Sequence, residues 1–175
     1  AIIEKLSGKS ILNANTNHCH QIGELLSEFH NKSLSFSIPL RNSRDMHWKI
    51  KTYEKLSEVI NKSQKELIKE AIELNKSFEK LDLPIGKIHA DLFKDNVLFD
   101  KDLVSGMIDF YYSCDGFFLY DIGVVANDWC VNEGGVIVQS KLVEFIDGYQ
   151  KNRKISAKEK NNFAIALCAA ALRFY

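Results

Sequence analysis

The chain has 175 residues, of which 46% are hydrophobic and 26% charged, a composition typical of one globular domain and unlike that of a disordered or collagen-like segment. Lys and Arg number 23 and Asp and Glu 23, so the chain lacks the positive field expected of a protein that binds nucleic acid or an acidic membrane surface. No apolar run reaches the roughly 18 residues of a membrane span, and no secretory signal opens the sequence. We therefore expect a cytoplasmic protein with a small-molecule partner.

The first half of the chain predicts three helices. Asn15 can cap the first, whose apolar residues recur at helical spacing from Cys19 to Phe29. A second helix is predicted over residues 48–60. The tetrapeptide at 63–66, Ser-Gln-Lys-Glu, has the form of a capping box and predicts the start of a third helix that continues to Leu81.

The pattern changes to short strands after Pro84. Strands are predicted over 85–89, 97–100 and 103–110, with Lys101-Asp102 as a two-residue hairpin turn. Helices follow over about 118–131 and 138–149, and a last helix opens with the capping box at 156–159. The sequence thus predicts an α+β fold, a mainly helical lobe with a small β-hairpin insertion.

Neither end of the sequence reads as a natural terminus. Residue 1 is not Met and lies in an apolar run, 1–6, that reads as a strand already under way, while the apolar run at 169–175 stops without a helix cap. We expect a piece of a longer protein. The four cysteines, Cys19, Cys114, Cys130 and Cys168, show no Cys-x-x-Cys spacing and are expected to be reduced, largely buried thiols.

Three polar residues around the predicted hairpin have the chemistry of a magnesium site. A turn at 101–102 pairs Asp100 with Leu103 and Asn96 with Met107, which leaves Asp109 just beyond the same open end. An amide oxygen and a carboxylate are hard ligands suited to Mg²⁺. Asp91, on the loop that leads into the hairpin, is placed to accept a proton from a substrate hydroxyl.

The stretch His-Ala-Asp-Leu-Phe-Lys-Asp-Asn at 89–96, followed by Ile-Asp-Phe at 108–110, fits the pattern of phosphoryl transfer enzymes. Together with residues 106–112 and 120–123, it resembles the aminoglycoside phosphotransferase and choline kinase superfamily, which has the protein-kinase-like fold. Within that superfamily, the chain resembles the bacterial homoserine kinases most closely. The fold expected is therefore that of a protein-kinase-like C-terminal lobe.

This resemblance implies roles for several residues. Asp91 would be the catalytic base, Asn96 and Asp109 would hold the Mg²⁺ that bridges the phosphates of ATP, and Asp121 would be a buried carboxylate tying down the catalytic loop. His89 is expected to orient the same loop through backbone hydrogen bonds rather than to take part in catalysis. The implied reaction is the phosphorylation of L-homoserine in threonine biosynthesis.

The N-terminal lobe of the family has no counterpart in the sequence. None of the nine glycines forms a Gly-x-Gly-x-x-Gly or Walker pattern, and no segment supplies a phosphate-clamping Lys. By resemblance, residues 1–8 would be the hinge from a missing N-terminal lobe, with the backbone of Glu4, Lys5 and Leu6 facing adenine, and residues 9–175 would be the C-terminal lobe. Without the missing lobe, the chain should bind nucleotide poorly.

The acceptor substrate is less constrained than the phosphoryl-transfer residues. Asp128 could receive an ammonium group, Trp129 could form a wall and Tyr111 could add aromatic surface. A helix-surface Asp and a core Trp explain the first two residues equally well, and the same features would suit the quaternary ammonium of choline.

Other functions stay open. The chain could belong to a choline or ethanolamine kinase, an aminoglycoside phosphotransferase or an inactive kinase-like binding module. A metal-dependent hydrolase using His89, Asp91 and Asp109 is disfavoured, because zinc sites normally have more nitrogen or sulfur ligands.

Overall fold

The computed structural model describes residues 5–174 of the chain. Three helices come first: α1 (Thr16–Ser33), α2 (Met46–Leu56) and α3 (Lys62–Glu79). Four short strands follow: β1 (Ile85–Ile88), β2 (Val97–Asp100), β3 (Leu103–Met107) and β4 (Cys114–Phe117). The remaining helices are α4 (Phe118–Trp129), α5 (Gln139–Asn152), α6 (Ala157–Asn161) and α7 (Phe163–Ala171). The predicted α+β class, helical with a small β insertion, is confirmed.

Helix α4 forms the centre of the core. It is buried along nearly its whole length, packs against α7 and lies beside β1, while α1 packs along α5. Gly23 of α1 lies so close to α5 that an added Cβ would come within 2.2 Å of the Phe145 carbonyl oxygen. This close approach brings the two helix backbones together and fixes their relative position.

Two of the predicted helix N-caps, at Asn15 and Ser156, are confirmed, and the one predicted at Ser63 is not. Asn15 accepts a hydrogen bond from the His18 amide at 2.9 Å, and Ser156 forms the predicted capping box with Glu159. The box predicted at 63–66 is wrong. Asn61 caps α3 together with Gln64, since Asn is an equally good N-cap residue and comes first in the chain. The last predicted helix is two helices, which divide at Asn162.

The hairpin register differs from the predicted one by a β-bulge. Asp100 pairs with Leu103 as expected, but Met107 pairs with Val97 rather than with Asn96, because Ser105 is an extra residue in β3. Both turn residues, Lys101 (φ 50°) and Asp102 (φ 64°), adopt left-handed conformations, as a type I′ hairpin turn requires. The bulge moves Asn96 opposite Ile108, one residue closer to Asp109.

Strand β4 was not expected from the sequence. It pairs antiparallel with β1, matching Ile85 with Phe117 and Ile88 with Cys114, in a second two-stranded sheet. The segment Cys-Asp-Gly-Phe is too short to show a strand pattern by itself. Its partner lies about 30 residues earlier in the chain, beyond the reach of hairpin rules.

The N-terminal segment lies along the hairpin. Lys9 bridges Phe99 through a pair of backbone hydrogen bonds at 2.9 and 3.0 Å, and Leu6 covers Gly106. Residues 5–7 form no regular element, and Glu4, with the rest of the strand predicted over 1–6, lies outside the described residues. No helix within residues 5–174 has the length and apolar character needed to cross a membrane.

Three of the four cysteines are buried, as the sequence predicts. Cys19, Cys114 and Cys130 are buried free thiols, whereas Cys168 is exposed on α7. Burial raises the pKa of Cys114 to about 12, which keeps this thiol protonated and unreactive.

Candidate active site

Residues 89–96, hereafter the catalytic segment, leave β1 in a sharp turn. Ala90 has a left-handed backbone (φ 62°), and the Asp121 carboxylate accepts hydrogen bonds from the backbone amides of His89 at 2.8 Å and Ala90 at 2.7 Å. Asp121 is fully buried in the first turn of α4. Its two oxygens stabilise a turn that an alanine rarely adopts alone.

A buried network behind the segment keeps Asp121 ionised. His30 Nε2 lies 3.1 Å from Asp121 Oδ2, and His30 Nδ1 lies 2.7 Å from the Tyr149 hydroxyl. Burial works to raise the pKa of Asp121, but the hydrogen bonds and charges around it outweigh burial and lower its pKa, while burial lowers the pKa of His30. The neutral imidazole therefore donates to a carboxylate anion.

His89 joins the catalytic segment to the chain after β3. Its Nε2 lies 2.9 Å from the carbonyl oxygen of Ile108, and its ring packs at 4.8 Å from that of Phe110. A nitrogen facing a carbonyl oxygen must carry the proton, so Nε2 donates. The histidine thus couples the position of Asp91 to that of Asp109.

Asn96 and Asp109 lie on adjacent segments. The Ile108 amide donates to the Asn96 carbonyl at 3.0 Å, so Asp109 follows directly after a residue bonded to Asn96. Asn96 Nδ2 donates to the Asp91 carbonyl at 2.8 Å, which leaves the amide oxygen as its potential cation ligand. Asp109 is exposed and left-handed (φ 63°, ψ 61°). A shared Mg²⁺ on these two oxygens stays a prediction.

Asp91 is partly buried, and one arginine contacts it. Burial raises the pKa of its carboxyl group, the nearby negative charge of Asp109 adds to that effect, and Arg173 opposes it. Arg173 Nη2 lies 3.3 Å from Asp91 Oδ1, and Nη1 donates to the Ala90 carbonyl. A carboxylate with a raised pKa is a stronger base, and the arginine favours its ionised form.

Two of the three predicted substrate residues have structural contacts instead. Trp129 is fully buried, and its Nε1 donates to the Leu92 carbonyl at 3.0 Å, so the prediction that it forms a substrate wall is wrong. Asp128 accepts from the Lys94 amide at 2.8 Å and lies 3.4 Å from the Lys94 ammonium, so it is no unpaired acid awaiting a substrate. Tyr111 is 82% exposed and stays a candidate.

Helix α4 therefore supports the catalytic segment along its length. Asp128 and Trp129 follow Asp121 by seven and eight residues, about two helical turns, so all three lie on the side of α4 that faces the segment. They bind four backbone groups of the segment: the amides of residues 89, 90 and 94 and the carbonyl of residue 92.

Sequence reasoning missed Arg173, which contacts Asp91, and two further cations near Arg173. The guanidinium groups of Arg44 and Arg173 lie 5.0 and 4.4 Å from the ring centroid of Tyr112, and Arg44 donates to the Tyr112 hydroxyl at 3.0 Å. Lys49 of α2 is buried nearby. Arg173 alone had a signal, as the one charged residue in the apolar run 163–175.

Within residues 5–174, His89, Asp91 and Asp109 do not come together as ligands of one metal ion. No three His, Cys, Asp or Glu side chains in this part of the chain are placed to hold a metal ion together. His89 Nε2 is also engaged with the Ile108 carbonyl.

Sequence comparison relates the chain to phosphotransferases. The model of the phosphotransferase enzyme family matches residues 1–155. Homoserine kinase of Methylobacillus flagellatus is 37% identical over all of this chain, and that of Neisseria meningitidis serogroup B is 34% identical over 99% of it. The chain spans 55% and 57% of the length of these two relatives.

Solved structures share the fold at low sequence identity. Amicoumacin kinase hAmiN, in complex with AMP-PNP, Ca²⁺ and Ami, has a TM-score of 0.72 and 17% identity, over 97% of this chain and 53% of that one. Ethanolamine kinase of Plasmodium vivax has a TM-score of 0.69 and 15% identity, over 97% and 55%. The predicted protein-kinase-like fold is confirmed.

Proposed function

Since the chain belongs to the phosphotransferase enzyme family, we propose that the complete protein transfers the terminal phosphoryl group of ATP to the hydroxyl group of L-homoserine, forming O-phospho-L-homoserine. The observation that carries the kinase chemistry is the joining of Asp91, Asn96 and Asp109 by the hydrogen bonds of Asn96 and His89. The choice of homoserine rests on the relatives of that name, which match the chain over its whole length.

Asp91 is the proposed catalytic base. It is partly buried beside backbone that α4 holds in place, and burial raises its pKa toward the range in which a carboxylate accepts a proton effectively. It would take the proton of the acceptor hydroxyl as that oxygen attacks the phosphoryl group. Asp121 and His89 act as positioning residues, because they fix the backbone of the segment rather than touch the reacting atoms.

Asn96 and Asp109 would hold Mg²⁺. One amide oxygen and one carboxylate fit a small hard cation that keeps water and phosphate oxygens in its remaining positions. When bound, Mg²⁺ supplies positive charge that offsets the charge on the phosphates.

The nucleotide would need residues beyond the described part of this chain. The relatives are nearly twice as long, and we propose that an N-terminal lobe clamps the phosphates while the backbone of Glu4, Lys5 and Leu6 faces adenine. Lys5 and Leu6 are exposed.

A coupled assay of ADP formation tests the proposal. The complete protein, from its initiating methionine to its natural C-terminus, is offered L-homoserine, choline, ethanolamine and kanamycin with Mg²⁺ and ATP. We expect turnover with L-homoserine at a kcat/KM well above that with the others. Protein carrying Asp91→Asn, purified identically, excludes a contaminating kinase. Preference for choline or kanamycin would assign another substrate, and no turnover with any of them would support a binding module.

A further inference from the structure

A cavity of about 400 Å³ opens between α2, α3 and the sheet of β1 and β4. We call it the acceptor cavity. Its apolar lining comes from aromatic and aliphatic residues and Gly116, and its polar lining consists of Asn42, Asp45, Lys49, Asn75, Glu79, Asp115 and Tyr120. A concave, mostly apolar site with a few convergent polar groups is the usual form of a small-molecule site.

Lys49 is the unusual member of this lining. Its side chain is only 7% exposed, and its ammonium lies 2.7 Å from Asn75 Oδ1, 4.0 Å from Glu79 Oε1 and 5.8 Å from the ring centroid of Tyr120. Burial lowers the pKa of this lysine, as expected for a cation that one neutral amide and one distant carboxylate stabilise incompletely. A buried positive charge thus faces a cavity large enough for a small metabolite.

The other acids of the lining have partners. Asp115 is ion-paired with Lys87, and Asp45 caps α2 by accepting from the Trp48 amide at 2.9 Å. Glu79 is 44% exposed, so it lies nearer to solvent than the lysine does. The cavity lining therefore holds one buried ammonium group and three carboxylates, two of which are engaged by the Lys87 side chain and the Trp48 amide.

A short path of contacts connects the cavity to Asp91. Tyr120 lines the cavity and is hydrogen-bonded to Arg173, whose guanidinium lies 3.3 Å from the Asp91 carboxylate. The positive charge of Arg173 also lowers the pKa of Lys49, so the two cations are close. The lining of the cavity is therefore coupled to Asp91 through the side chains of Tyr120 and Arg173.

We propose that Lys49, oriented by Asn75, binds the carboxylate of the acceptor and so selects a hydroxy amino acid over an amino alcohol. This inference rests on the proposed function and names the group that recognises its substrate. The buried ammonium gains a strong partner when a carboxylate enters, whereas a purely cationic acceptor such as choline meets like charge there. The ammonium group of the amino acid faces Glu79.

The test compares two acceptors that differ by one group. L-Homoserine and 3-amino-1-propanol share the hydroxyl, the ammonium and their spacing, but 3-amino-1-propanol lacks the carboxylate. In the complete protein, Lys49→Met should raise the KM for L-homoserine about 10- to 100-fold. The KM for 3-amino-1-propanol should stay the same or fall. Calorimetric titration of L-homoserine with a non-hydrolysable ATP analogue present should show the same loss of affinity.

Three further variants test whether the position and charge of Lys49 account for the effect. Lys51→Met, on the exposed face of the same helix, should behave like the wild type. Lys49→Arg should keep most of the preference. Asn75→Asp places a carboxylate beside Lys49 and should weaken L-homoserine binding while improving that of 3-amino-1-propanol. Thermal unfolding checks that each variant folds, which we expect of Lys49→Met because it removes a buried charge at similar volume.

The outcomes separate the two proposals. If the wild type phosphorylates L-homoserine but folded Lys49→Met and Asn75→Asp keep its KM, the role of Lys49 is refuted and the kinase assignment stands. Equal losses with both acceptors would make Lys49 a structural residue. A wild type inactive on L-homoserine refutes the proposed function and the inference with it.

Discussion

The catalytic segment and the acceptor cavity are held by different kinds of contact. In the segment, side chains of α4 bind backbone groups, as Asp121 does at the amides of residues 89 and 90. In the cavity, Lys49 binds other side chains, those of Asn75 and Glu79. Backbone anchoring fixes a conformation whatever side chains the segment carries, whereas side-chain pairs can change with the ligand. We therefore expect changes in the segment to affect turnover or folding with every acceptor, and changes in the cavity to depend on the acceptor.

The largest expected effect is that of changing Asp91, the proposed catalytic base. Asp91→Asn removes the proton acceptor and should lower kcat about 10²- to 10⁴-fold with L-homoserine and 3-amino-1-propanol alike, with little change in ATP affinity. Steady-state kinetics measure both values, and Asp100→Asn, at the exposed hairpin turn, is the matched control. A loss confined to one acceptor would contradict the division between segment and cavity.

The proposed metal ligand should give a different signature. Asp109→Asn replaces one carboxylate oxygen with an amide nitrogen, so both nucleotide affinity and kcat should fall, and high Mg²⁺ should restore part of the loss. A titration of Mg²⁺ at fixed ATP distinguishes this variant from Asp91→Asn, which added metal should not rescue. Identical Mg²⁺ dependence in the two variants would refute the ligand assignment.

Asp121→Asn should act through folding. An amide has an NH2 donor in place of one of the two oxygens that accept from His30 and two backbone amides, so at least one buried group loses its partner. We expect the free energy of unfolding to fall by about 2–4 kcal/mol, measured by urea denaturation. The folded fraction should lose kcat with both acceptors equally. Asp147→Asn, exposed on α5, should leave stability unchanged.

The smallest predicted effect is a shift in pH dependence. Arg173 lowers the pKa of Asp91, so Arg173→Gln should raise that pKa. A base works only when deprotonated, and a higher pKa means that activity is lost sooner as the pH falls. The acid limb of kcat/KM should therefore move to higher pH. Arg41→Gln, whose side chain is 90% exposed, is the control and should leave the limb in place. A limb that stays in place in Arg173→Gln would show that Asp91 does not control it.

Local sequence predicted several helix starts and the central hairpin. The caps at Asn15 and Ser156, the strand 97–100 and its turn follow from rules that involve neighbouring residues, and the structure contains each of them. A hairpin brings its two ends together, so the sequence predicted that Asn96 and Asp109 lie close to each other. Asp91, on the loop that leads into the hairpin, was predicted to lie beside them. The β-bulge at Ser105 was not predicted, since the extra residue has no sequence signal of its own.

Only the tertiary structure decided what Asp128, Trp129, Lys49 and Arg173 do. Two adjacent residues of α4 looked like a substrate site, but packing turned both toward the catalytic segment, where they bind backbone at Leu92 and Lys94. Lys49 contacts Asn75, which lies 26 residues away in the sequence, and Arg173 contacts Asp91, which lies 82 residues away. Helical and strand periodicity report which face of an element is buried, but not which distant element covers it. The sequence thus determined the kinase-like motif, and the packing of α2, α3 and the C-terminal residues determined which charges surround it.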